Sequence, residues 1–112
     1  MNKKIIFKKG EKMEYTKLEI VNALYNAIDE FNKSREEHEH LIKSEMTPLL
    51  GGDESMNSLS LVDFIIIVEE KILEYFDKSI IIADDKAMSE RNSPFINIDS
   101  LSKYLYKILN EH

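Results

Sequence analysis

Apolar residues recur at helical spacing in three separate stretches of the chain. The first stretch opens with Thr16 and Glu19, three residues apart, which is the pattern of a capping box. The apolar stripe behind it consists of Leu18, Val21, Leu24, Tyr25, Ile28 and Phe31. This spacing predicts a helix over about residues 16–33, with Thr16 as its N-cap and one face against a core.

The second apolar stretch predicts a helix from near Ser58 to about Phe76, with Ser58 or Asn57 as a suitable N-cap. Its broad apolar face consists of Leu61, Phe64, Ile65, Val68 and Ile72. Val62, Ile66 and Leu73 extend the apolar surface beyond that face. A helix that is apolar on more than one face either lies at the centre of its bundle or offers a docking surface.

The third stretch predicts a last helix over about residues 98–110, with Asn97 as its N-cap. Between the second and third stretches, residues 80–82 have the composition of a strand but no partner strand. We therefore expect an extended, buried connection there. Residues 84–91 are expected to form a short helix, which ends before Pro94.

The long polar segment at residues 34–57 has no clear periodicity. A charged run begins it, and Pro48 and the pair of glycines at 51–52 indicate turns. Connections of this length are often functional or mobile. The apolar residues expected to hold the segment against the bundle are Leu41, Ile42, Leu49 and Leu50. The predicted fold is an all-α four-helix bundle, three longer helices and one short one, with a long loop between the first and second.

The composition supports one small folded domain. The chain has 112 residues with only 3 Gly and 2 Pro, which favours helices over a turn-rich β fold. Residues 1–13 are expected to be a basic, disordered tail, and residues 14–112 the domain. The tail is interpreted as a solvated leader, and the alternative is a basic arm that meets an anionic surface.

Charge and residue types exclude several classes of function. The net charge is −6, and outside the basic segment 1–12 the chain carries 10 basic and 20 acidic residues. An acidic body argues against a nucleic-acid partner and suits docking onto basic patches of other proteins. The chain has no Cys, which removes disulfides, thiolate catalysis and Cys-ligated metals. No apolar run is long enough to span a bilayer, so a cytoplasmic protein is expected.

The start of the second helix carries the most informative chemistry. The Ser58 hydroxyl precedes an amphipathic helix at the end of a long loop, and so lies at the positive end of a helix dipole. A phosphate at such a place is favoured by about 0.3–1 kcal/mol. From the residue types alone, a serine that merely caps its helix is the simpler interpretation. His38 and His40 do not share a helix face, and no metal site is expected from them.

The stretch Asn57-Ser58-Leu59, followed by Val62-Asp63 and Glu69-Glu70, is similar to the attachment motif of acyl carrier proteins. That motif reads Asp-Ser-Leu, then an apolar–acidic pair and a later acidic pair in the same helix. Asp84-Asp85 before a short helix, and residues 95–101, also resemble this family, and the segment Ala83–Phe95 looks like that of its specialised members. The resemblance covers about residues 14–110. Two departures are Asn57 in place of the family Asp, which helps the modifying synthase and its Mg²⁺, and the long 34–57 segment.

The resemblance implies a monomeric carrier that is not itself an enzyme. A phosphopantetheinyl transferase would use coenzyme A, and Mg²⁺ bound by that synthase only, to join 4′-phosphopantetheine to the Ser58 oxygen beside Asn57 and Leu59. The arm's thiol would carry an acyl or aminoacyl group as a thioester for a loading ligase, a ketosynthase or an acyltransferase. The residues expected to dock these partners are Val62, Asp63, Ile66, Glu69 and Glu70. The alternative is an unmodified protein-interaction module of the same fold.

Overall fold

The computed structural model describes residues 14–50, 57–82 and 94–111, and these residues form three α-helices around one apolar core. Helix α1 is Lys17–Lys33, α2 is Ser58–Phe76 and α3 is Ile98–Asn110, and a 3₁₀ turn follows α1 at Glu37–Glu39. The described ranges contain no strand, so the predicted all-helical class is confirmed. The short helix expected at residues 84–91 and the tail at residues 1–13 lie outside the described residues.

Each of the three helices begins where its capping residue predicts. The Glu19 N–H donates to Thr16 Oγ1 over 3.1 Å, while the Thr16 N–H donates to Glu19 Oε1 over 2.8 Å. Asn97 makes the corresponding pair of bonds with Ser100 at the start of α3, at 2.8 and 3.0 Å. Local hydrogen bonds of this kind depend on a few neighbouring residues, which is why the sequence reveals them.

Helix α1 packs against both α2 and α3. At 100° per residue, its buried positions cover an arc of about 160°, wide enough to face two neighbours. The arc consists of Ile20, Val21, Ala23, Leu24, Ala27, Ile28 and Phe31. The prediction that Leu18 belongs to this stripe is wrong, because its side chain is 69% exposed at the edge of the first turn.

The long segment after α1 is held against the bundle by backbone and amide hydrogen bonds. The Asn32 side chain pairs with the backbone of Leu41, donating to its carbonyl over 2.9 Å and accepting from its N–H over 2.8 Å. The Leu49 N–H donates to the Ile96 carbonyl over 2.9 Å, and the Leu49 side chain is fully buried. Leu41 and Leu50 are partly buried, as expected, but the expectation for Ile42 is wrong because it is exposed.

Tyr15 joins the ends of all three helices. Its hydroxyl donates to the Phe76 carbonyl over 3.3 Å, and the two rings meet edge to face at 4.8 Å between centroids. The Asn110 side chain accepts from the Tyr15 N–H over 2.7 Å and donates to the Tyr15 carbonyl over 3.0 Å. The residue before the N-cap of α1 is therefore fixed to the ends of α2 and α3.

The connection after α2 is buried in part. Asp77 ends the helix in the left-handed conformation, with φ 56°, and residues 78–82 then form neither helix nor strand. Ile82 is fully buried, whereas Ile81 is exposed, so the expected burial holds for alternate residues. None of the helices in the described ranges has the length and apolar character that a bilayer crossing requires.

A charge cluster connects the amino ends of α1 and α3. Lys17 Nζ lies 2.8 Å from Asp99 Oδ1 and 3.1 Å from Glu45 Oε1, and Lys103 Nζ lies 3.0 Å from Asp99 Oδ2. The hydrogen bond from Lys17, then that from Lys103, lowers the pKa of Asp99 from 3.8 to about 2. The hydrogen bonds to Asp99 and then to Glu45 raise the pKa of Lys17.

The Asp99 cluster predicts a specific loss of stability in acid. Because the folded chain keeps this carboxyl ionised to lower pH than the unfolded chain does, its stabilisation is complete above about pH 4 and is lost as the pH falls through about 2. The difference in free energy of unfolding between the wild type and Asp99→Asn should therefore shrink over this window in urea titrations. In a Lys17→Gln background the same difference should depend less on pH. A difference that stays constant from pH 5 to pH 2 would contradict the assignment.

Candidate functional site

The amino end of α2 is capped by Asn57 and not by Ser58. The Ser60 N–H donates to Asn57 Oδ1 over 2.9 Å, and the Leu61 N–H donates to the Asn57 carbonyl over 2.9 Å. Ser58 is the first residue of the helix, and the structure describes its backbone but not its side chain. The sequence left the choice of cap open, and the backbone geometry assigns it to Asn57, which has extended φ and ψ angles.

The residue after Ser58 projects into solvent. Leu59 is 80% exposed in the first turn of the helix. The N–H groups of the first helical residues have no carbonyl of a preceding turn to bind, so they favour an anion there. The amino end of α2 thus has an exposed residue, Leu59, a cap formed by Asn57, and a positive potential from its free N–H groups.

The side of α2 that points away from the core carries a mixed apolar and acidic stripe, which we call the outward face. At 100° per residue, its members lie on the opposite side of the helix from the buried positions Leu61, Phe64, Ile65, Val68 and Ile72. The outward face consists of Leu59, Val62, Asp63, Ile66, Glu70 and Leu73. Val62 is partly buried and the others are exposed. Four of the five predicted docking residues therefore lie on one surface.

The fifth predicted docking residue, Glu69, has a different contact. Its Oε2 accepts a hydrogen bond from the Ile82 N–H over 2.6 Å, and its side chain is partly buried. At 100° per residue Glu69 lies beside Val62 at the edge of the outward face, so its contact, and not its position, separates it from the other four. Glu69 instead holds the end of the connection that follows α2.

Arg35, which the sequence analysis did not single out, reaches the outward face from the end of α1. Its Nη2 lies 2.7 Å from Asp63 Oδ2, and its Nη1 donates to Ser60 Oγ over 3.3 Å. The guanidinium carbon lies 4.4 Å from the centre of the Phe31 ring. Asp63 and Arg35 are 28 positions apart, and no local pattern signals their contact.

A shallow groove of about 270 Å³ runs beside this ion pair. Its walls are formed by Phe31, Ser34, Arg35, Asp63, Ile66, Ile67 and Glu70. The groove therefore combines apolar walls with charges of both signs. It borders the outward face, so a protein docked there would meet the Arg35–Asp63 pair.

The described residues contain no group of three His, Cys, Asp or Glu side chains that could hold a metal ion. His40 Nε2 donates to the Arg35 carbonyl over 2.9 Å, whereas His38 Nε2 lies 3.6 Å from Glu39 Oε2. The two histidines thus have separate partners, and His40 fixes the backbone that carries Arg35.

Comparisons with protein-family models, with curated proteins and with solved structures found no match to this chain.

The cap assignment makes a prediction about stability. Asn57→Ala should lower the free energy of unfolding by about 1 kcal/mol, because the Ser60 N–H loses its acceptor. Asn57→Asp should stay within about 0.5 kcal/mol of the wild type, since Asp caps as well as Asn. Urea unfolding followed by circular dichroism measures both. The control is Asn22→Ala, at an exposed position inside α1, which should not destabilise; equal losses in both alanine variants would argue against the cap.

Proposed function

We propose that this chain is an acyl carrier protein that bears a 4′-phosphopantetheine arm on the Ser58 oxygen. The observation that carries the proposal is that Asn57, and not Ser58, caps α2. In a serine that caps its helix, modification would turn the acceptor oxygen into an ester oxygen. Here the acceptor is Asn57 Oδ1, so the cap stays when Ser58 is modified or substituted. This weakens the simpler interpretation of Ser58 as a capping residue.

The residues around Ser58 fit such an arm. Leu59 is exposed beside the attachment position, and the first-turn N–H groups favour the negative phosphodiester. When attached, the arm supplies a thiol, which this Cys-free chain does not have, to carry an acyl or aminoacyl group as a thioester. The chain's own part is to hold the attachment point at a helix end and to bring the cargo to a docked enzyme, which raises its effective concentration there.

The outward face of α2 supplies the docking surface in this proposal. Asp63 and Glu70 would meet basic residues of a partner, and Leu59, Val62 and Ile66 would add apolar contacts. Glu69 is left out of this set because of its contact with Ile82. The partners are a phosphopantetheinyl transferase, which would use Mg²⁺ and coenzyme A, and a loading ligase, ketosynthase or acyltransferase.

A carrier fold would add a fourth helix to the three that are described. Residues 84–91 would form the short fourth helix of a carrier bundle within a domain over residues 14–112, and the chain would act as a monomer in the cytoplasm. The three described helices and the long segment between α1 and α2 are compatible with that architecture.

An unmodified interaction module of the same fold is the second candidate. Asn57 favours it, because the neutral amide does not supply the charge that carrier proteins offer to the Mg²⁺ of the modifying synthase. Asn and Asp cap a helix equally well, so Asn57 differs from the Asp of carrier proteins only in charge.

Incubation with a promiscuous phosphopantetheinyl transferase, Mg²⁺ and coenzyme A should add one phosphopantetheine to the wild type, as measured by intact mass. Ser58→Ala should remain unmodified and folded, because Asn57 still caps α2. The matched control is Ser60→Ala, two residues along the same turn, which should still be loaded. Asn57→Asp should be loaded faster than the wild type.

The outcomes separate the two candidates. Loading of Ser58→Ala would exclude Ser58 as the attachment site. No loading of either the wild type or Asn57→Asp would favour the unmodified module. Loading of Asn57→Asp alone would indicate a carrier that needs a dedicated synthase.

A further inference from the structure

One of the two acidic residues on the outward face already has a cation of its own chain. Asp63 binds Arg35 at 2.7 Å, although its side chain remains 58% exposed. Glu70, two helical turns further along the same face, makes no ion pair with a cation in the described ranges. The two acids therefore differ in how readily they can bind the basic residues of a partner.

The Arg35 side chain is held in place from several sides. It is 21% exposed, its guanidinium lies over the Phe31 ring, and it also contacts Ser60. The hydrogen bond from His40 fixes the carbonyl of the same residue. A planar guanidinium in such a setting loses little conformational freedom when it binds a carboxylate, so the pair forms readily.

A second carboxylate lies within reach of Arg35. Glu39 Oε1, in the 3₁₀ turn, is 3.7 Å from Arg35 Nη1. If another cation formed an ion pair with Asp63, Arg35 would still contact the Phe31 ring and Glu39. The exchange of one cation for another at Asp63 would therefore leave no charge unpaired.

We infer that Arg35 is an intramolecular competitor that determines which partners dock on the outward face. A partner must supply a cation that replaces Arg35 at Asp63, and an arginine fits because its guanidinium reproduces the same geometry. Partners that offer only apolar contacts leave Arg35 in place and meet a neutralised Asp63. This inference rests on the proposed carrier function and adds a specificity residue to it.

The test measures KM and kcat for the carrier in the phosphopantetheinyl transferase reaction. Arg35→Gln should lower KM by about two- to fivefold, the scale of an exposed ion pair, with a smaller change in kcat. Asp63→Asn should raise KM. In the Asp63→Asn background, Arg35→Gln should have no further effect on KM, because the competition has been removed.

The matched control is Glu70→Gln, on the same face and beside the same groove. In that background Arg35→Gln should lower KM by the same factor as in the wild type. Arg35→Met, which keeps an apolar stem over Phe31, is the second variant if Arg35→Gln unfolds. Thermal unfolding of every variant separates a loss of fold from a change in docking.

Three results would overturn the inference. Arg35→Gln could raise KM, which would make Arg35 a direct partner contact. Arg35→Gln could still lower KM in the Asp63→Asn background. Asp63→Asn could also leave KM unchanged. Either result would mean that the partner does not dock through Asp63. Failure to load Ser58 in both the wild type and Asn57→Asp would instead remove the proposed function and this inference together, so the two failures are distinguishable.

Discussion

The fold depends on the burial of one wide apolar arc on α1. Because this arc faces two sides, α1 needs two neighbours to cover it, and α2 and α3 supply them. The small residues Ala23 and Ala27 lie at one edge of the arc, while the larger Val21 and Ile28 lie at the other. Phe31, near the arc's centre, meets Phe64 edge to face at 5.7 Å between ring centroids, a contact that adds to the burial of both rings.

Helix α2 buries one side against α1, and no described helix covers its outward face. That surface carries leucine and isoleucine side chains, which a helix buried on one side has no structural need to expose. The long segment after α1 contributes to this arrangement because Arg35 lies in it. Hydrogen bonds from His40 to the Arg35 carbonyl and from the Arg35 N–H to the Asn32 carbonyl hold this residue at the border of the exposed surface. The packing of the helices and the candidate site are therefore connected through the 34–57 segment, which has no clear periodicity in the sequence.

The sequence predicted the features that depend on neighbours along the chain. Thr16, Asn97 and the apolar spacing located the helices because capping and periodicity act over a few residues. The sequence could not predict the contact of Arg35 with Asp63, because this contact requires the packing of α1 against α2. The sequence also could not predict the hydrogen bond from the Ile82 N–H to Glu69, because that contact depends on the path of the chain after α2. Leu18 and Ile42 were misplaced because apolar character alone does not require burial at the edge of a helix or in a loop.

The amide clamp between Tyr15 and Asn110 brings the two described ends of the domain to a single point. A domain with this geometry can be inserted into a surface loop of a host protein without stretching either connection. For the same reason its ends can be joined and the chain reopened elsewhere, as in circular permutation. The clamp thus makes this group of helices suited to insertion within another protein.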